Sequence, residues 1–387
     1  MRLALVHKTF GRKGGTEGFL AGLVDGLASR GHSLVLFVAR NESMQDLAPT
    51  VGVRRLIGRR AGGLPTLALL CSSILRVRYR DFDQVVHLGR TGPRGIYRAG
   101  GGCHQALHEL LLQRPQTWWR RLFLRYSLGH RIRLWHELRA LRSPETIFVV
   151  PSQQARSTLL GRYGPLAQKV QVVHNGVDLA LFSPQSSSAL RDAARRDWGI
   201  EDGATCFLFF GSDPWRKGLD KVLHAFAQFR AVSSTPACLL VLGCQSWGGW
   251  VYRLIAELKL GGSVILGRRE ERPLRAYGAA DVLVLPTRQD PFANVTLEAL
   301  ACGLPVITSY RNGAVEAVEG CAALWLVDLE QEQGLVAAMT EASQAAETPG
   351  IGRLARQAAE GCGREQSIAA WEALILRSAA PAGGPHE

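Results

Sequence analysis

DVLVLPTRQDPFANVTLEALACGLPVITS, residues 281 to 309, reads as strand, loop, helix, turn and strand. Asp281 to Leu285 is a short apolar run that Pro286 closes, and Asp290, Pro291 and Phe292 form a loop. Val295 to Cys302 predicts a helix ended by Gly303 at its C′ position. Pro305, Val306 and Ile307 open a second buried strand. In an open α/β sheet, ligands sit beyond the carboxyl ends of the strands, where the Asp290 loop belongs. Asp290 and Glu298 stand eight residues apart across the helix start. Glu298, one turn in, suits the helix dipole as well as it suits the vicinal hydroxyls of a ribose. Asp290 suits a turn as well as it suits a sugar hydroxyl. This stretch alone leaves both alternatives open.

The same alternation continues on either side. Thr205 to Phe210 starts a sheet, with Gly211-Ser212-Asp213 at its carboxyl end and a helix from Leu219 to Arg230. Leu239 to Leu242 and Val264 to Leu266 add strands. Arg216 and Lys217 lie in the strand-to-helix loop, and they suit a solvated loop at least as well as they suit a diphosphate neutralised by a planar fork beside a point charge. Earlier, Met1 to His7 is a strand, TFGRKGGTEG a loop, Phe19 to Arg30 a helix and Leu34 to Ala39 a strand. That turn offers N–H groups to a phosphate, although glycines at 11, 14, 15 and 18 do not match GxGxxG. Strands at Gln84 to Leu88, Ile147 to Val150 and Val170 to Val173 follow. The polar stretch SPQSSSALRDAARRDW (183 to 198) is taken as an interdomain linker. The expected domains are 1–180, with helix 366–378 packing back on it, and 181–365, followed by a disordered tail at 379–387.

Composition narrows the partners. The 387 residues carry a formal charge of +13, and only six of the 46 basic residues are lysine, which favours an anionic partner. The eight cysteines form no CxxC pair and have no histidine at metal spacing, so a reducing compartment and no metal site are expected. Leu3 to Val6 is too short for a signal peptide, and Leu64 to Leu75 falls short of a membrane span. Residues 114 to 142 hold eight arginines against one acid, Glu137, interleaved with Trp118, Trp119, Phe123, Tyr126 and Trp135. Such a segment fits either the surface of an anionic bilayer or a helix whose aromatics pack on the N-terminal core under a basic solvated face; on the first reading a peripheral place on the inner face of the plasma membrane is expected. No recognised nucleic-acid motif accompanies it, and no nucleic-acid partner is expected. His104 follows the flexible Gly100-Gly101-Gly102, where a backbone approaches a ligand closely.

Taken together, these motifs resemble the retaining GT-B glycosyltransferases of family 4. DPFANVTLEALACGLPVITS matches the donor-binding signature, an acid, seven residues, then Glu. The GG turn at Gly14-Gly15, PSQQARSTLL at 151 to 160, HNGVD at 174 to 178 and GSDPWRKG at 211 to 218 fall in the family's order. The nearest likeness is to the lipopolysaccharide core glucosyltransferases. The resemblance implies an α/β fold of GT-B type, two Rossmann-like doubly wound parallel-sheet domains facing a cleft. It implies that Glu298 holds the ribose of a nucleotide sugar and that Asp290 contacts the transferred sugar. Arg216 and Lys217 bind the diphosphate in place of a metal. Backbone groups of Phe292, Ala293, Asn294 and Val295 cradle sugar and phosphate, Gly14 and Gly15 close over the phosphate, and His104 lies at the reaction face. The implied reaction moves a hexose from a UDP-type donor, a co-substrate rather than a cofactor, to a glycolipid acceptor such as lipopolysaccharide core. A UDP-sugar 2-epimerase and a non-catalytic nucleotide-sugar-binding protein share the architecture. Asp290 stands where the family mostly has Glu, Ala293 where glycine is usual, and Gly101 where Asp is frequent.

Overall fold

The computed structural model describes all residues except 12–14, 42–46, 58–62, 93, 116, 268–271 and 380–387. The chain gathers into two units, Met1–Asn175 with Glu365–Glu387, and Gly176–Arg364.

The first unit holds seven parallel strands, β1 (Arg2–Phe10), β2 (Ser33–Asn41), β3 (Val51–Arg55), β4 (Gln84–His87), β5 (Gly95–Arg98), β6 (Thr146–Val150) and β7 (Gln171–Val172), in the order β3-β2-β1-β4-β5-β6-β7. Leu3, Ala4, Leu5 and Val6 are all fully buried, as expected of a strand covered on both faces. Helices α1 (Gly15–Ser29), α2 (Gly63–Arg76), α3 (His104–Gln113), α4 (Trp118–Tyr126), α5 (Leu128–Arg142) and α6 (Gln153–Tyr163) accompany the sheet. Strands β3 and β5 were not predicted. Each is short and ends in arginine, and β5 begins with Gly95, so neither presents an apolar run. Helix α1 begins at Gly15, four residues ahead of the predicted Phe19.

The second unit begins with two helices, α7 (Pro184–Ser188) and α8 (Arg191–Trp198). These correct the reading of 183–198 as a linker. Ala194 is fully buried, and the Arg195 guanidinium donates to the carbonyls of Ala279, Glu201 and Ala204 at 2.7 to 3.0 Å. Six parallel strands follow: β8 (Thr205–Phe210), β9 (Ala237–Leu242), β10 (Val264–Leu266), β11 (Val282–Leu285), β12 (Val306–Ser309) and the unpredicted β13 (Leu324–Val327). Their order is β10-β9-β8-β11-β12-β13. The remaining helices of this unit are α9 (Leu219–Val232), α10 (Gly249–Glu257), α11 (Pro273–Ala279), α12 (Asn294–Ala301), α13 (Glu332–Glu347) and α14 (Ile351–Glu360). No helix among the described residues is long and apolar enough to cross a membrane.

The last helix, α15 (Arg364–Ala379), returns to the first unit. Its Trp371 is fully buried and meets Phe19 of α1 edge-on, ring centroids 5.9 Å apart. Ile368 fits because Gly26 has no side chain; a Cβ there would stand 2.3 Å from the Ile368 Cδ1. In the second unit the chain enters beside the place where it leaves. Val177 bridges Gly363, donating to Cys362 at 2.9 Å and accepting from Arg364 at 2.8 Å. A Cβ on Gly176 would lie 2.6 Å from the Gly363 carbonyl oxygen.

Candidate functional site

In the second sheet the strand order reverses between β8 and β11, and the loops leaving the carboxyl ends of these two strands occupy the position where open α/β sheets receive ligands. The loop after β8 runs from Gly211 to Gly218 and carries Arg216 and Lys217. Gly218 has φ +84°, and a Cβ there would stand 2.2 Å from the Pro286 carbonyl oxygen. Only glycine lets this loop close on its neighbour. From the β11 side, Arg288 grips Asp220 with two hydrogen bonds of 2.7 and 2.6 Å and lies 4.6 Å over the Trp215 ring. The Arg288 amide donates to the Arg216 carbonyl at 2.8 Å, which locks the two loops in register.

Asp290 lies at the centre of this arrangement and is only 7% exposed. Its Oδ2 is 2.7 Å from Lys217 Nζ and 3.2 Å from Arg216 Nη1, and its Oδ1 accepts the Phe292 N–H at 3.1 Å. Arg216 also donates to the Gln289 carbonyl at 2.7 Å and has its Nε 3.5 Å from Asp213. Burial pushes the Asp290 carboxyl up, but Lys217, Arg216 and the Phe292 amide outweigh it and hold the group below its ordinary value. An ionised carboxylate thus keeps buried Lys217 and half-buried Arg216 side by side.

Helix α12 starts immediately beyond, with Phe292 and Ala293 buried and Asn294 and Val295 half-buried. Ala293 stands at the N-cap and has no capping side chain; Asn312 caps in its place. Asn312 is fully buried, and its Oδ1 accepts from Ala293 and Ala314 at 3.1 Å each. Its Nδ2 donates to Thr296 and Thr308 at 2.9 and 3.1 Å. Sequence reasoning missed this residue, because the dipeptide Asn312-Gly313 signals a turn and says nothing of a partner nineteen residues away. The far end of α12 agrees with expectation. Gly303 has φ +83°, and Leu304 donates back to Ala299 at 3.0 Å.

Glu298, on the first turns of α12, is half-buried and accepts the hydroxyl of buried Tyr277 at 2.6 Å. Burial raises its pKa and the Tyr277 hydrogen bond offsets part of the rise. Tyr277, from α11, is the second functional neighbour that sequence reasoning missed. It holds one oxygen of Glu298, while the other accepts no hydrogen bond among the described residues.

Gly14 lies outside the described residues, and Gly15 is the first residue of α1. His104 is the first residue of α3 and is buried. Its amide donates to the Glu137 carboxylate at 2.7 Å, and its Nε2 lies 3.1 Å from His130 Nδ1 with the rings stacked. Burial first, then Arg90 and His130, pull the His104 imidazole down to about 2, so it is neutral near pH 7. A side chain at Gly101 would meet nothing within 4 Å, so packing does not require the glycine there. The basic aromatic segment forms two helices meeting at Ser127. α5 buries His130, His136 and Glu137, whereas α4 exposes Trp118 and Phe123 (78% each) together with Trp119, Leu122 and Tyr126.

Two family models match the chain, Glycosyltransferase Family 4 over residues 13–181 and Glycosyl transferases group 1 over residues 191–350. Among curated relatives, the D-inositol 3-phosphate glycosyltransferase of Thermomonospora curvata is 30% identical over 261 residues, 64% of this chain and 58% of that protein. D-inositol 3-phosphate glycosyltransferase 1 of Catenulispora acidiphila is 32% identical over 180 residues, 44% of this chain and 42% of that protein. The chain thus spans about half the length of the curated relatives it matches. WaaG, a glycosyltransferase involved in lipopolysaccharide biosynthesis, superposes with a TM-score of 0.72 at 18% identity, covering 99% of this chain and 100% of that one. Anabaena HepE in complex with UDP and glucose superposes at 0.72 with 20% identity, covering 98% and 100%. Likeness at such identity establishes the fold.

Proposed function

Since the chain belongs to the GT-B glycosyltransferases, we propose that it moves a hexose from a UDP-sugar to a hydroxyl of a glycolipid of lipopolysaccharide-core type, without a metal. The observation that carries this reading is the Lys217–Asp290–Arg216 trio at the switch point of the second sheet. In this reading the two cations face the donor diphosphate and take up the charge that develops on it as the glycosidic bond breaks. Asp290 keeps them in place beside the sugar. Glu298, with one oxygen held by Tyr277 and the other open, receives the ribose hydroxyls. The N-terminus of α12, lined by Phe292 to Val295, adds its dipole to the phosphate side. The acceptor hydroxyl attacks the anomeric carbon on the face the diphosphate leaves, and the departing phosphate oxygen takes its proton. Configuration is thereby retained.

The exposed face of α4, with arginines interleaved, supports docking on an anionic membrane, where a glycolipid acceptor resides. HepE binds UDP and glucose, which supports the UDP assignment. The test is donor turnover with UDP-glucose, UDP-galactose and GDP-mannose, with and without EDTA. Release of UDP that EDTA does not affect is expected. Nucleotide binding without turnover of any donor, or isomerisation of the sugar without UDP release, would overturn the proposal.

A further inference from the structure

Three cations stand in the loops that leave β8 and β11, and Arg288 differs from the other two in what it bonds. Arg216 and Lys217 share the Asp290 carboxylate. Arg288 instead reaches the first turn of α9, where its fork meets both oxygens of Asp220 at 2.7 and 2.6 Å. The same Nη1 donates to the Trp215 carbonyl, and the guanidinium carbon lies 4.6 Å from the centroid of the buried Trp215 ring. The Arg288 side chain is 15% exposed. Its fork is committed to Asp220 and Trp215 and its plane to the indole, so its effect on a ligand passes through the loop that it holds.

What it holds is the backbone that carries both site cations. The Arg216 carbonyl accepts the Arg288 amide at 2.8 Å and the hydroxyl of fully buried Thr287 at 3.2 Å. The Trp215 carbonyl accepts the Gly218 amide at 3.1 Å in addition to Arg288 Nη1. These two carbonyls belong to the peptide groups on either side of the Arg216 Cα, and the second group leads directly into Lys217. Rotation of either peptide group would swing a cation, and Arg288 bonds both, one with its amide and one with its fork. Pairing with Asp220 roots that fork on a helix through charge-assisted bonds. A lysine at this position would keep the charge but would lack the two-pronged grip and the stacking plane.

We propose that Arg288 is a positioning residue: anchored on Asp220, it fixes the peptide groups flanking Arg216 and so presets Arg216 and Lys217 for the charge that grows on the departing diphosphate. The inference rests on the transferase reading. Cations already in place need no reorganisation as that charge develops, and contacts that strengthen toward the transition state act on kcat more than on KM. The assay is UDP release from UDP-glucose, with water as acceptor, by the full chain and its Arg288→Lys, Asp220→Asn and doubly substituted variants. Hydrogen exchange of the 211–220 segment is measured beside it. Each single variant should lose about tenfold or more in kcat, with KM for UDP-glucose held within about threefold. The double variant should fall within about twofold of the worse single one, because the two residues act as a unit. Exchange at 215–218 should quicken about tenfold while β8 and β11 exchange as in the wild type. An unchanged kcat in Arg288→Lys would overturn the proposal by reducing Arg288 to a bare charge. Additive losses, a loss confined to KM, or exchange quickened across the whole sheet would overturn it as well, the last by making the clamp a matter of general stability. If one single variant fails to fold, the other decides. A wild type that turns over no donor would sink the transferase reading, and the exchange measurement would still decide whether Arg288 presets the loop.

Discussion

Asp290→Asn removes one charge and little else. Asparagine keeps the shape of the side chain and still accepts the Phe292 amide, but Lys217 at 2.7 Å and Arg216 at 3.2 Å lose their counter-ion. Deleting one partner of a buried ion pair costs about 3–5 kcal/mol, because the remaining charge is stranded. The asparagine carbonyl still accepts from one cation, which places the loss near the lower end, about 3 kcal/mol. For a domain of this size that lowers Tm by roughly 6–12 °C. Thermal unfolding followed by circular dichroism measures it. UDP at a hundredfold over its Kd adds about 2.7 kcal/mol to any binding-competent fold. The variant should gain more than the wild type from pyrophosphate, which replaces the missing negative charge. The pH dependence has a defined sign. The folded pKa of Asp290 is depressed, so its stabilisation is fully present above the ordinary value of 3.8 and is lost as pH falls through the lower folded value. The gap between wild type and variant therefore closes in acid. A Tm within about 1 °C of wild type at pH 7, or a gap that persists in acid, would refute the role given to Asp290.

Three further outcomes are expected. Glu298→Gln should lower UDP affinity about tenfold to a hundredfold, the worth of hydrogen bonds to a charged group. It should not lower Tm at pH 7, since burial already disfavours the ionised form; calorimetry and melting curves check the two parts. Asn312→Ala should destabilise the second unit by about 3 kcal/mol, because Ala293 and Ala314 each lose a buried acceptor; urea unfolding reads this directly. Arg121→Gln with Arg125→Gln should weaken binding to anionic vesicles by about 2 kcal/mol, near thirtyfold, and less at high salt. Unchanged cosedimentation would make α4 a structural helix.

The two sheets were legible because their strands carry unbroken apolar runs such as TCFLFF and VLVL, the mark of burial on both faces. Strand β5 was not, since Gly95 and Arg98 leave only Ile96 and Tyr97 to signal it. The 183–198 stretch misled for a related reason. Its helices are fixed by Arg191 and Arg195 bonding Asp281, partners 90 and 86 residues away, while its own composition is polar. The site shows the same division. Arg216, Lys217, Asp290 and Glu298 could be nominated as candidates because each lies in a local motif. That one carboxylate clamps both cations was hidden, as were Tyr277 and Asn312, because those relations exist only once β8, β11 and β12 lie side by side.

Backbone pairing at Val177 and Gly363 sets the two ends of the second unit next to each other. On the first unit's side of the cut, the Ser367 hydroxyl donates to the His174 carbonyl at 2.7 Å, so those ends are neighbours as well. In topological terms the second unit is a guest spliced into a host. Its termini meet at one seam, so it can be lifted out as a single block, and a short peptide from Asn175 to Glu365 would heal the host. That seam is also where a different unit could be grafted while the first sheet, with its basic aromatic helix, is left intact.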